Sequence, residues 1–169
     1  MRKVWYVVAA GVALAVSLTL AASVSAQSKH SALKRPKIYV FLGTYGGSAA
    51  TKVSGSTADV TAAGAGTASY IGPGKITGVG KADASSPPCV PFLGTGQMTG
   101  KNGTVNFKVT PNSTGCGDEG GHTFAISGKA TVTSATGKLK GATGPLKFSG
   151  FYDRDKGNFS AKFTGVLKG

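Results

Sequence analysis

Acids, histidine, tryptophan and cysteine are all scarce in this chain, and each scarcity removes a class of function. Only six Asp and Glu stand against 19 Lys and Arg in 169 residues, so few groups are available for acid–base work. Histidine occurs twice, as His30 and His122. A Ser-His-Asp device would have to combine His122 with one of the serines and an acid such as Asp118, and no nucleophile-elbow sequence accompanies them. The single Trp, Trp5, sits in an apolar N-terminal segment, which leaves the rest of the chain without a Trp platform for sugars or bases. No Gly-rich turn follows a strand and opens a helix as a phosphate loop does. Arginine is rare as well: beyond residue 26 only Arg35 and Arg154 occur. Lysine is a hydrated point charge, whereas arginine makes the paired contacts of specific phosphate or base recognition. The charge therefore implies diffuse attraction to polyanions and no specific nucleic-acid code.

What is present falls into two parts. Arg2 and Lys3 precede an uncharged, almost wholly apolar run from Val4 to Leu20, and Val24-Ser25-Ala26 supplies small residues before Gln27. This pattern predicts a secretory signal peptide over residues 1–26, cleaved before Gln27. The run also approaches the length of a spanning helix, so an uncleaved anchor is the rival reading. Cleavage takes Arg2 and Lys3 away and leaves 17 Lys and Arg against the same six acids, a net charge of about +11. Residues 27–37, with Lys29, His30, Lys34, Arg35 and Lys37, read as a basic flexible tether. The expected location is secreted or extracytoplasmic, in the periplasm or cell wall, with no membrane association after cleavage.

Two cysteines remain, Cys89 and Cys116. In an oxidising compartment the simplest expectation is one disulfide between them; a free reactive thiol is the alternative.

Residues 38–169 carry a period-two pattern and no helical one. Val105, Phe107 and Val109 alternate with Asn106, Lys108 and Thr110. Leu146, Phe148 and Gly150 alternate with Lys147, Ser149 and Phe151, and Ala130 and Val132 share a face. The last strand is the cleanest, with Phe159, Ala161, Phe163, Gly165 and Leu167 on one side. Asn102-Gly103 is a strong hairpin signal, Gly72-Pro73-Gly74 reads as a turn, and Ile38 to Leu42 reads as a strand ending at Gly43. Eight to ten short strands with Gly-rich turns suggest a sandwich or a barrel. Closure favours one antiparallel up-and-down β-barrel of about eight strands, because it removes exposed edges.

Four segments carry a family likeness: residues 64–72, the Gly94-to-Gly103 stretch GTGQMTGKNG, residues 128–144 and residues 163–167. The most specific is Thr136-Gly137-Lys138-Leu139-Lys140-Gly141-Ala142-Thr143-Gly144. Residues 60–169 resemble secreted bacterial proteins of the allene oxide cyclase barrel-like family, which share their architecture with plant dirigent proteins. Ser134-Ala135 stands where the family usually has a second Gly, and Thr104 where an acid commonly follows Asn-Gly. The resemblance implies an eight-stranded barrel with an apolar interior. No catalytic residue transfers, and the catalytic residues are unassigned.

Two chemical candidates need weighing. Asp118, Glu119 and His122 form a partial metal-ligand set in a Gly-rich loop, but the preferred reading is a polar loop pinned by Cys116, with no metal and no cofactor assigned. Asp153 to Asn158 reads as an exposed charged hairpin turn. The leading expectation is a non-enzymatic basic barrel that binds a small apolar ligand or anionic envelope polymers. The alternative is an allene-oxide-cyclase-like or dirigent-like isomerase acting in the barrel cavity. Tyr39, Tyr70 and Tyr152 are the candidate ligand-binding residues, and Tyr45 joins them as a residue to mutate in the isomerase case.

Overall fold

A computed structural model describes residues 35–85 and 87–169. The expected signal peptide, residues 1–26, and residues 27–34 of the expected tether lie outside the described residues. Nine strands follow in order: β1 (Ile38–Ser54), β2 (Thr57–Ala68), β3 (Gly72–Asp83), β4 (Cys89–Gly100), β5 (Gly103–Val109), β6 (Thr114–Gly117), β7 (Thr123–Ala135), β8 (Gly144–Asp153) and β9 (Asn158–Lys168). Among the described residues the one helical element is a 3₁₀ turn, Gly137–Leu139.

Consecutive strands pair antiparallel, β5 and β6 excepted, and β9 returns to pair with β1 from Ile38↔Lys168 to Ser48↔Asn158. β5 and β6 both lie between β4 and β7 and act as one strand interrupted at Thr110–Ser113. The result is a closed eight-stranded up-and-down barrel, which leaves no long free edge.

The alternation seen in the sequence decides which side chains enter. Phe159, Ala161, Phe163 and Leu167 are buried on β9, Val105, Phe107 and Val109 on β5, and Leu146 and Phe148 on β8. Strand β1 differs from expectation. It does not end at Gly43 but runs 17 residues to Ser54. Its glycines are sites of close approach rather than stops: a Cβ on Gly47 would fall on Ala63 and Gly64 of β2. The expected turn at Gly72-Pro73-Gly74 also moves. The chain reverses at Ser69–Ile71, with Tyr70 at φ 69°, and Gly72, Pro73 and Gly74 pair with Ala68, Thr67 and Gly66. Pro73 is tolerated there because pairing of β3 with β4 begins only at Gly74. The Asn102-Gly103 hairpin forms as expected, between β4 and β5.

The two ends of the barrel differ. At one end, here the base, Phe41, Tyr45, Ile71, Met98, Val105 and Leu146 are fully buried, and Leu139 and Ala142 of the 136–143 connection plug the opening. Gly137 makes this plug possible: it sits at φ 63°, and its Cα lies so close to Asn102 that no Cβ fits. Lys37 and Gly169 exchange backbone hydrogen bonds at the base, so order begins one residue before Ile38. At the other end, the mouth, the chain turns at residues 55–56, 84–88, 118–122 and 154–157.

Candidate functional site

Between plug and mouth the lumen is open. A cavity of about 300 Å³ lies there, at the low end of small-molecule sites. Its two walls are unlike. Strands β2, β3 and β4 contribute small inward residues, among them Ala58, Ala62, Gly78, Gly80, Ala82 and Gly94. The opposite wall and the floor are aromatic. Phe163 lies 5.5 Å from Phe107 and 6.0 Å from Phe148 between ring centroids, and Phe92 lies 5.9 Å from Phe148. Phe92 reaches these rings from β4, and the small residues of β2, β3 and β4 leave the rest of the lumen unfilled.

Polar groups in the lining are few. The Tyr152 hydroxyl and Thr51 Oγ1 are 3.0 Å apart in one hydrogen bond, and Tyr152 stacks on Phe124 at 6.3 Å. Arg154 lines the rim and makes no ion pair among the described residues. Of the three candidate tyrosines, Tyr152 alone lines the cavity. Tyr39 and Tyr70 meet each other edge-on at 5.3 Å near the base, at the other end of the barrel. Tyr45 leans toward Gly43 and the base and touches Phe163 at 6.3 Å. Its hydroxyl is buried with no hydrogen-bond partner among the described residues, and burial pushes its pKa up to about 12.

The charged segments at the mouth serve the loops. The Asp118 carboxylate accepts hydrogen bonds from the backbone N–H of His122 (2.8 Å) and of Thr123 (3.2 Å). His122 turns away, its Nδ1 2.6 Å from Asp155 Oδ2. Asp118, Glu119 and His122 therefore do not converge, and no group of three potential metal ligands gathers among the described residues. Asp153 accepts from the Lys156 backbone N–H and, at 3.0 Å, from its ammonium, which holds the Asp153 carboxyl below its usual range. The 153–158 segment is thus the charged turn the sequence implies.

Cys89 and Cys116 form a disulfide between directly paired residues of β4 and β6. It fixes the start of β4 to the strand leading into the 118–122 loop. A disulfide is compatible with an extracytoplasmic location.

The sequence pointed to tyrosines and underrated glycine. Gly78 and Gly80 of β3 and Gly94 of β4 lie on the inward faces of adjacent strands and line the cavity, whereas at Gly96 the Phe107 ring takes the space a Cβ would need. No protein-family model matches the chain, and no curated protein or solved structure matches it.

Proposed function

We propose that this protein is an exported, non-enzymatic barrel that holds a small, largely apolar ligand in its lumen. The observation that carries this reading is the cavity itself: apolar walls, an aromatic floor, a plugged base and an open mouth. Burial of apolar ligand surface supplies the affinity. The Tyr152–Thr51 pair supplies one polar contact that can orient the ligand.

The test is displacement of the neutral fluorophore N-phenyl-1-naphthylamine, with thermal unfolding alongside. Ligand at one hundred times its Kd stabilises the fold by about 2.7 kcal/mol. Binding should persist in high salt and be lost in Ala62→Phe, which fills the lumen from the small wall. A fluorophore that does not bind, or binds equally to Ala62→Phe, overturns the reading. An allene-oxide-cyclase-like or dirigent-like isomerase would use the same space by shape and orientation. Turnover of an epoxide or phenolic-radical substrate that disappears in Tyr152→Phe would replace the binding reading with that one.

A further inference from the structure

Charge is divided unequally between the two ends of the barrel. All six acids of the sequence lie at or near the mouth: Asp59, Asp83, Asp118, Glu119, Asp153 and Asp155. Two of the cations near them are engaged, Lys81 on Asp59 at 2.6 Å and Lys156 on Asp153 at 3.0 Å, while Lys52 and Arg154 make no ion pair among the described residues. The waist and base carry lysines and no acid.

On the waist these lysines converge. Lys129 of β7 stands directly opposite Lys147 of β8, and Lys162 of β9 is the diagonal neighbour of Lys147, since Lys147 pairs with Thr164. Directly paired side chains on one face have Cβ atoms about 5 Å apart, and diagonal ones about 7 to 8 Å. The three ammoniums border an outer groove of about 480 Å³, together with Ser127, Ser149, Thr164 and Asn112. None of the three makes an ion pair among the described residues.

The groove is built rather than incidental. The Pro111–Asn112 turn, with Asn112 at φ 73°, leaves the ladder between β5 and β6 and forms one side. Ser113, fully buried, fixes that turn. Its hydroxyl donates to Thr110 O at 3.0 Å and accepts from the Lys129 N–H at 3.2 Å. Gly128 makes room for Ser113, which occupies the space a Cβ there would need.

Like charges placed directly opposite each other destabilise a sheet, and an anion between them removes that cost. We infer that this groove binds an extended phosphodiester polymer, with Lys129, Lys147 and Lys162 neutralising successive phosphates. Lysines act on phosphate as point charges, and the surrounding hydroxyls and amide can donate to its non-bridging oxygens. The aromatic ring that lines the groove, Phe148, is buried at 7% exposure and offers no open face on which a base could stack, so the favoured chain is a polyol phosphate rather than a nucleic acid. This inference is independent of the lumen and of any ligand there.

The experiment measures binding of the full chain to fluorescent poly(glycerol phosphate) from 50 to 200 mM salt. Oligothymidylate and alginate serve as competitors. Two triple variants remove equal charge: Lys129→Gln/Lys147→Gln/Lys162→Gln at the groove, and Lys75→Gln/Lys101→Gln/Lys138→Gln toward the base. Three phosphate contacts make the slope of log affinity against log salt steeper by about 2. The groove triple should lose that increment and bind at least about tenfold more weakly at 50 mM, while the base triple changes affinity less than about threefold. Unchanged thermal unfolding of each variant without polymer excludes misfolding as the cause. Equal losses in both triples would reduce the effect to diffuse attraction and overturn the site. Absence of wild-type binding would do the same. Alginate competing as well as the phosphate polymer, or oligothymidylate competing better, would overturn the ligand class.

Discussion

Tyr45→Phe separates two consequences of one buried hydroxyl. The side chain is 1% exposed, and its hydroxyl has no hydrogen-bond partner among the described residues. At pH 7 the phenol is neutral in both folded and unfolded chains. Leaving a buried polar group unpaired costs about 1 to 3 kcal/mol, so removing the oxygen should stabilise the barrel by about 1 kcal/mol, at the lower end because the ring keeps its packing. For a domain of this size that is a rise of about 3 °C in Tm. At higher pH a second effect appears. The unfolded phenol ionises near its ordinary value of 10.0, while the folded one holds its proton to about 12. The folded state then binds the extra proton, and wild-type stability falls as pH rises above 10. At pH 11 the loss is about 1 kcal/mol, and it approaches about 3 kcal/mol above pH 12. Tyr45→Phe lacks this loss. Its advantage over wild type should grow from about 1 kcal/mol at pH 7 to about 2 kcal/mol at pH 11. Urea unfolding of both proteins at the two pH values measures the difference directly, because every other titrating group is shared. An advantage that does not change with pH, or a Phe variant less stable at pH 7, would refute the reasoning.

Other perturbations have equally definite outcomes. Reducing the Cys89–Cys116 bond, which closes a separation of 27 residues, should lower stability by about 3 to 4 kcal/mol, read as a lower urea midpoint with reductant than without. Gly66→Ala would press a Cβ onto Thr44 O and to 2.7 Å from the Tyr45 ring, and should cost at least about 2 kcal/mol. Gly78→Ala meets only Thr95 O at 3.4 Å, and should instead raise stability by up to about 1 kcal/mol while adding a methyl to the lumen wall. Thermal unfolding of the pair distinguishes tight glycines from spacious ones. Ser113→Ala leaves the Lys129 N–H without the hydroxyl it now meets, and should cost about 2 kcal/mol in urea unfolding.

The sequence made much of the fold legible because a barrel strand needs only a two-residue period. Phe159, Ala161, Phe163 and Leu167 declared their buried face, as did Val105, Phe107 and Val109. The closure, the disulfide pair and the Asn102-Gly103 hairpin were readable for similar local reasons. Strand β1 was not, because glycine in a sequence signals a turn, whereas here Gly43 and Gly47 let neighbouring strands coil closely. The cavity was less visible still. It depends on which levels of the lumen receive aromatic rings and which receive glycine, and that is set by strand register across the whole barrel. For the same reason Tyr39, Tyr70 and Tyr152 look equivalent in sequence, yet only Tyr152 faces the cavity. The lysine groove needs three strands and the 110–113 turn to be in register before Lys129, Lys147 and Lys162 become neighbours.

Lys37 and Gly169 close the base by pairing with each other. Both ends of the barrel therefore leave from one spot, on the side away from the mouth. A short linker could join them and new ends be cut into a mouth loop, making the barrel a natural subject for circular permutation. Conversely, anything fused at either end hangs below the plug, so a label or a surface tether can be attached there with the lumen still open to solvent.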